Sequence, residues 1–154
     1  MVSPEARARI AEMFANKREE ERQFPGGKPL DLRRRDWEAE ARLELLPKGA
    51  RFSPADAGGI KSEWMDMPHI DKSRVFLLLH GGGYNAGSPR THRKMGAHLS
   101  RAAHARVLTP DYRLAPEHVF PAAVKDALKA YGWLLEQGVP EEQIIIGGDS
   151  AGGA

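Results

Sequence analysis

The chain has 154 residues, 41% hydrophobic and 29% charged, with a formal net charge of +2. That size and balance suit one globular domain with a core of its own. The absence of cysteine excludes a disulfide framework, a thiolate metal site and a cysteine nucleophile. The small net charge, with no basic stripe interleaved with aromatics, gives no ground for a nucleic-acid partner. Arg33-Arg34-Arg35 sits among Asp31, Asp36, Glu38 and Glu40 and reads as a solvated helix face. The N-terminus lacks an apolar signal region, and no apolar stretch approaches the roughly 18 residues that cross a bilayer, so no membrane span is expected and a cytoplasmic location is the default.

Residues 3 to about 46 read as two amphipathic helices. Ser3 suits an N-cap and Pro4 the first helical position, with Ile10, Met13 and Phe14 on one face. Asp31 can cap the second helix, whose apolar side is Leu30, Trp37, Ala41 and Leu45. Such narrow stripes belong to helices packed onto something else. Arg51–Ser53 and Ile60–Met67 then read as strands around the Ala57-Gly58-Gly59 turn. Val75–Leu79 is continuously apolar, as in a strand covered on both faces. A helix from Ser88 to about Ala103 should turn Met95, Leu99 and Ala102 inward. Ala105–Thr109 is a short strand. From Pro121 a helix sets Val124, Leu128, Tyr131 and Leu135 on one face, and Ile144-Ile145-Ile146 reads as the next buried strand. Alternating strands and helices imply an α/β fold: a mainly parallel sheet with helices on both faces.

Two glycine-rich turns follow two of the apolar strands. Gly148-Asp149-Ser150-Ala151-Gly152 holds the Gly-x-Ser-x-Gly pattern of a nucleophile elbow, a strand-to-helix turn that presents a serine hydroxyl at the top of a sheet. His80-Gly81-Gly82-Gly83-Tyr84 follows Val75–Leu79. Acyl transfer develops negative charge on the attacked carbonyl oxygen. Preorganised backbone N–H groups, here that of Ala151 with those of the glycine loop, can stabilise it by about 3 kcal/mol each. Right-handed crossovers would place both turns at the same carboxyl edge. A serine hydroxyl also needs a base, and in this arrangement an acid and then a histidine follow the serine along the chain. Only four residues follow Ser150, and all six histidines precede it. His80 is expected to orient its loop, and His98 and His104 to be surface groups. No histidine has a companion at metal-ligand spacing.

Three stretches resemble the esterases of the hormone-sensitive lipase family, within the α/β-hydrolase fold: His80–Tyr84, Asp111-Tyr112-Arg113-Leu114-Ala115-Pro116-Glu117-His118, and Gly148–Gly152. The resemblance implies a carboxylesterase of short or medium acyl esters that needs no cofactor. It implies Ser150 as nucleophile, Gly82, Gly83 and Ala151 as oxyanion-hole donors with Gly81 shaping that loop, and His80, Tyr84 and Asp149 as supports. Residues 1–48 would be a helical cap roofing the acyl pocket, and 49–154 the N-terminal half of the core. The C-terminal half, with the catalytic Asp and His, is expected after residue 154, in a longer polypeptide or another chain, and residues 1–154 alone are expected to be inactive. A homodimer through the sheet edge of the final strand is a further expectation. The Asp111–His118 stretch reads as scaffold, with Arg113 and Glu117 able to pair across the Ala115-Pro116 turn.

Two rival readings differ in class. Plant hormone receptors resembling this family keep the serine elbow but lose the catalytic histidine, so a non-catalytic binding protein on the same scaffold is one. A dinucleotide-binding domain is the other: Gly81–Ala86 satisfies G-x-G-x-x-A after a strand, with Asp111 ending the next. It leaves the serine elbow unexplained.

Overall fold

The computed structural model describes residues 2–154. By its contacts the chain divides into residues 1–35 and Asp36–Ala154. The first unit is dominated by α1 (Pro4–Gln23). Ser3 Oγ accepts from the Ala6 amide at 3.2 Å, satisfying one of the donors that a helix start leaves open. No α1 residue is buried, and Met13 and Phe14 are more than half exposed. The second helix, α2 (Leu30–Leu43), crosses the division between the units. It begins one residue before Asp31, which therefore lies in its first turn.

The second unit carries a five-stranded sheet in the order β1-β2-β4-β3-β5. The hairpin of β1 (Arg51–Asp56) and β2 (Lys61–Asp66) is antiparallel, and β2 pairs antiparallel with β4 (Ala105–Pro110). β3 (Asp71–Leu79) then runs parallel both to β4 and to β5 (Ile144–Gly148). The sheet is thus mixed, its parallel part at the end that carries the two turns.

A helix covers each face. A 3-10 turn at Arg90–His92 leads into α3 (Arg93–Ala103), and α4 spans Ala122–Glu136. Beside α3, Met65, Leu78 and Val107 form a buried cluster with Leu99 against it. On the α4 side, Val75, Leu77 and Leu108 pack with Ala130 and Leu134. Each fully buried aliphatic side chain contributes about 2 kcal/mol.

The buried faces of both helices differ from the sequence reading. α3 turns Gly96, Ala97 and Ser100 inward, while Met95 is 40% exposed. A Cβ at position 96 would stand 2.2 Å from Met65 Sδ, so a larger residue there would require the Met65 side chain to shift. α4 buries Ala122, Asp126, Ala130 and Leu134, leaving Leu128 64% exposed. The Ile144–Ile146 run does form a strand, but an edge strand: among the described residues β5 pairs only with β3, and Ile146 is 56% exposed.

Candidate active site

The register of β3 and β5 builds the site. Leu79 lies opposite Gly148, so the two parallel strands end together and release their turns side by side. The turn after β5 is tight. Ser150, exposed, has φ of 50°, a left-handed conformation that costs a non-glycine residue of order 1 kcal/mol or more. A Cβ on Gly152 would stand 2.0 Å from the Leu79 carbonyl oxygen, and one on Gly148 2.4 Å from the same atom. The elbow's glycines therefore let it lie directly against the end of β3.

The turn after β3 is fixed from several sides. His80 is fully buried and stacks on Tyr112, ring centroids 4.0 Å apart. Its Nδ1 lies 2.9 Å from the Gly81 carbonyl oxygen and donates to it. The Tyr112 hydroxyl donates to the His80 carbonyl. Burial, with the nearby His92 adding to it, lowers the His80 imidazole to about 4, so the ring is neutral at neutral pH. Burial also raises the Tyr112 phenol above its ordinary value. His80 Nε2 has no partner among the described residues. The His80 ring and carbonyl are thus both held, by the Gly81 carbonyl and by Tyr112.

The glycine amides divide into two sets. Gly81 N–H donates to Asp149 Oδ1 at 2.8 Å, so it is not free to receive an oxyanion. The N–H groups of Gly82, Gly83 and Ala151 donate to no acceptor among the described residues. Asp149, beside the serine, thus ties the elbow to the glycine loop. Tyr84, at the end of that loop, has φ of 58° and its carbonyl accepts from Ala115 N–H at 2.8 Å.

The Asp111–His118 stretch is bound into the scaffold. Arg113 forms a forked pair with Asp126 of α4, with contacts of 2.8 to 3.1 Å. Burial acts to raise the Asp126 carboxyl, but hydrogen bonds from the Arg113 guanidinium and amide outweigh it and hold it below the usual range. Tyr112, the residue before Arg113, supplies the ring under His80.

One residue of the site was not singled out from the sequence. His92, 4% exposed, places Nε2 3.1 Å from Asp149 Oδ1. Its only sequence signal is its position at the start of the helix that follows the glycine turn. His98 and His104 are exposed, as expected, and His104 closes α3 in a left-handed conformation. No group of His, Asp and Glu among the described residues could hold a metal ion, and none of their helices is long and apolar enough to cross a membrane. An apolar groove of about 440 Å³ runs beside the elbow between α4 and β5, lined by Leu79, Tyr84, Val124, Leu128, Ile146 and Ala151.

Residues 76–154 match the family model described as alpha/beta hydrolase fold. An acetyl-hydrolase of Streptomyces hygroscopicus is 48% identical over 95 residues, 62% of this chain and 31% of that protein. A putative acetyl-hydrolase of Mycobacterium tuberculosis, LipR, is 36% identical over 136 residues, 83% of this chain and 44% of that one. The crystal structure of an esterase from the bacterial hormone-sensitive lipase family superposes with a TM-score of 0.78 at 45% identity, covering 86% of this chain and 45% of that one. The chain thus spans less than half the length of each of these relatives. With both turns at one sheet edge and the family pattern running through them, the chain belongs to the hormone-sensitive lipase family of the α/β-hydrolase fold.

Proposed function

We propose that the protein is a serine carboxylesterase of small acyl esters, with Ser150 as its nucleophile. Ser150 Oγ attacks the acyl carbonyl carbon, its proton passes to a base, and the carbonyl oxygen takes the negative charge. Collapse of the tetrahedral intermediate expels the alcohol and leaves an acyl-serine that water hydrolyses. The observation that carries this reading is the set of three unengaged N–H groups, on Gly82, Gly83 and Ala151, in two adjoining turns of which one holds a serine in a left-handed conformation. Donors fixed before the reaction need no reorganisation when charge develops, which is why they favour the transition state over the bound ester. The acetyl-hydrolase names of two relatives support a small acyl group.

The base is assigned to a histidine outside residues 1–154, oriented by an acid also outside them. Within the chain, His80 is buried, neutral and donating to its own loop, and His92 is engaged by Asp149. His69, His98, His104 and His118 are exposed, and none of them pairs with a carboxylate among the described residues. Residues 1–154 by themselves are therefore expected to leave p-nitrophenyl butyrate unhydrolysed. The test uses a polypeptide extended to the length of the relatives. It should hydrolyse that ester, and Ser150→Ala should lower kcat by about 10⁴-fold or more. Equal rates in wild type and Ser150→Ala would remove Ser150 from the mechanism.

A further inference from the structure

We propose that His92 is a positioning residue for the oxyanion loop, acting through Asp149 on the placement of Gly82 and Gly83 relative to Ser150. The inference rests on the esterase reading above and goes beyond it by assigning a residue from a third segment of the chain. Three polar atoms converge where the two turns meet. Gly81 N lies 2.8 Å from Asp149 Oδ1 and 3.2 Å from His92 Nε2, and Nε2 lies 3.1 Å from the same carboxylate oxygen. Gly81 N–H donates to Asp149 Oδ1, and His92 Nε2 can donate to the same oxygen when it carries a hydrogen or accept from Gly81 N–H when it does not, while Nδ1 lies 2.8 Å from Thr91 Oγ1 and 3.2 Å from the Ser88 carbonyl oxygen. The ring is thus held on its Nδ1 side by the turn that carries His92.

The ring itself has little freedom. It is 4% exposed, with the Trp37 ring centroid 5.7 Å away and that of His80 5.5 Å away. Asp149 differs, because its side chain is 35% exposed and a carboxylate in that position gains by turning toward water. A hydrogen on His92 Nε2, 3.1 Å from Oδ1, would hold it inward. Held there, it fills the space that a Cβ of Gly81 would need, since Oδ2 would stand 2.2 Å from such an atom. Asp149 directly precedes Ser150, and Gly81 directly precedes Gly82. The His92–Asp149–Gly81 contact is therefore one residue away from the nucleophile on one side and from the first free donor on the other.

A latch of this kind acts on the transition state. The oxyanion donors must meet an oxygen that moves as the carbonyl becomes tetrahedral, and a displacement of about 1 Å can cost about 10²-fold in rate. Ground-state binding of the ester does not use those donors fully, so KM should be little affected.

The test is kinetic and is run on the extended polypeptide with p-nitrophenyl butyrate, beside the Ser150→Ala control. His92→Leu should lower kcat by about 10- to 100-fold with KM within about twofold. His92→Gln, whose amide can still donate to Asp149, should recover kcat to within about threefold of wild type. Asp149→Asn should lower kcat as well, and the double variant His92→Leu/Asp149→Asn should be no slower than the slower single one, because both remove the same contact. Unchanged kcat in His92→Leu, equal losses in the Leu and Gln variants, or additive losses in the double variant would each overturn the assignment. If His92→Leu does not fold, the comparison of His92→Gln with Asp149→Asn decides: equally slow variants overturn the proposal, and a near-normal Gln variant beside a slow Asn variant supports it. Ser150-dependent turnover with indifferent His92 variants sinks the latch alone, whereas turnover independent of Ser150 sinks the esterase reading and the latch with it.

Discussion

β3 and β5 look alike as sequence and differ as structure. Both are short apolar runs that end in a glycine-rich turn, and they lie side by side in parallel. Val75, Leu77 and Leu78 of β3 are each 1% exposed, because β3 has a strand on either side and a helix over each face. Ile145 and Ile146 of β5 are 49% and 56% exposed. An apolar run therefore states what a strand requires and says nothing of what supplies it. The two turns repeat the contrast. The one after β3 is buried around His80 and Tyr112, while the one after β5 presents Ser150 to solvent.

The largest effect should come from β3. Leu77→Ala empties a site in the cluster that joins the sheet to α4, and such truncations cost about 3 to 4 kcal/mol. Denaturant unfolding of the variant should show the midpoint falling with the slope unchanged. A smaller effect, of up to about 3 kcal/mol, should come from acid at the turn beyond β3. Burial lowers the His80 imidazole from 6.5 to about 4, so between those values the unfolded chain binds more protons than the folded one. Stability should therefore be intact above pH 6.5 and fall progressively toward pH 4, levelling off below it. His80→Gln should flatten that slope while lowering stability at neutral pH. A slope that survives the substitution would place the acid sensitivity in another group.

Much of this architecture is legible in the sequence. The two turns are, because glycines at fixed positions beside serine and histidine mark a backbone that must pass close to a neighbouring strand. Their shared edge follows from two apolar runs and the handedness of crossovers. The inward faces of α3 and α4 are not legible. Hydrophobic periodicity weights Met95 and Leu128, whereas close helix–sheet contact selects small residues such as Gly96, Ala97 and Ala130. Nor are the polar partners. Arg113 meets Asp126 across 13 positions, and Gly81 meets Asp149 across 68. Spacing arguments reach about one helical turn, so contacts made by folding lie outside them. His92 escapes a sequence reading for the same reason, since its role depends on Asp149 and not on its neighbours in the chain.

The smallest expected effect is the most direct probe of the contrast between the strands. In the 154-residue chain, Ile146→Ala should cost about 1 kcal/mol or less, since over half of that side chain is already in contact with water. Leu77, on the neighbouring strand and in register with Ile146, is the internal reference. Comparing the two substitutions in the same denaturant series cancels differences in the unfolded state, which truncation of two similar side chains alters in similar ways. A cost for Ile146→Ala equal to that of Leu77→Ala would mean that β5 is covered in solution. A dependence of that cost on protein concentration would then identify a second copy as the cover, because only association ties stability to concentration. In a longer polypeptide the same pair reports on the added residues. Packing on the groove beside Leu128 and Ile146 should raise the Ile146 cost toward that of Leu77, while leaving the Leu77 cost where it was.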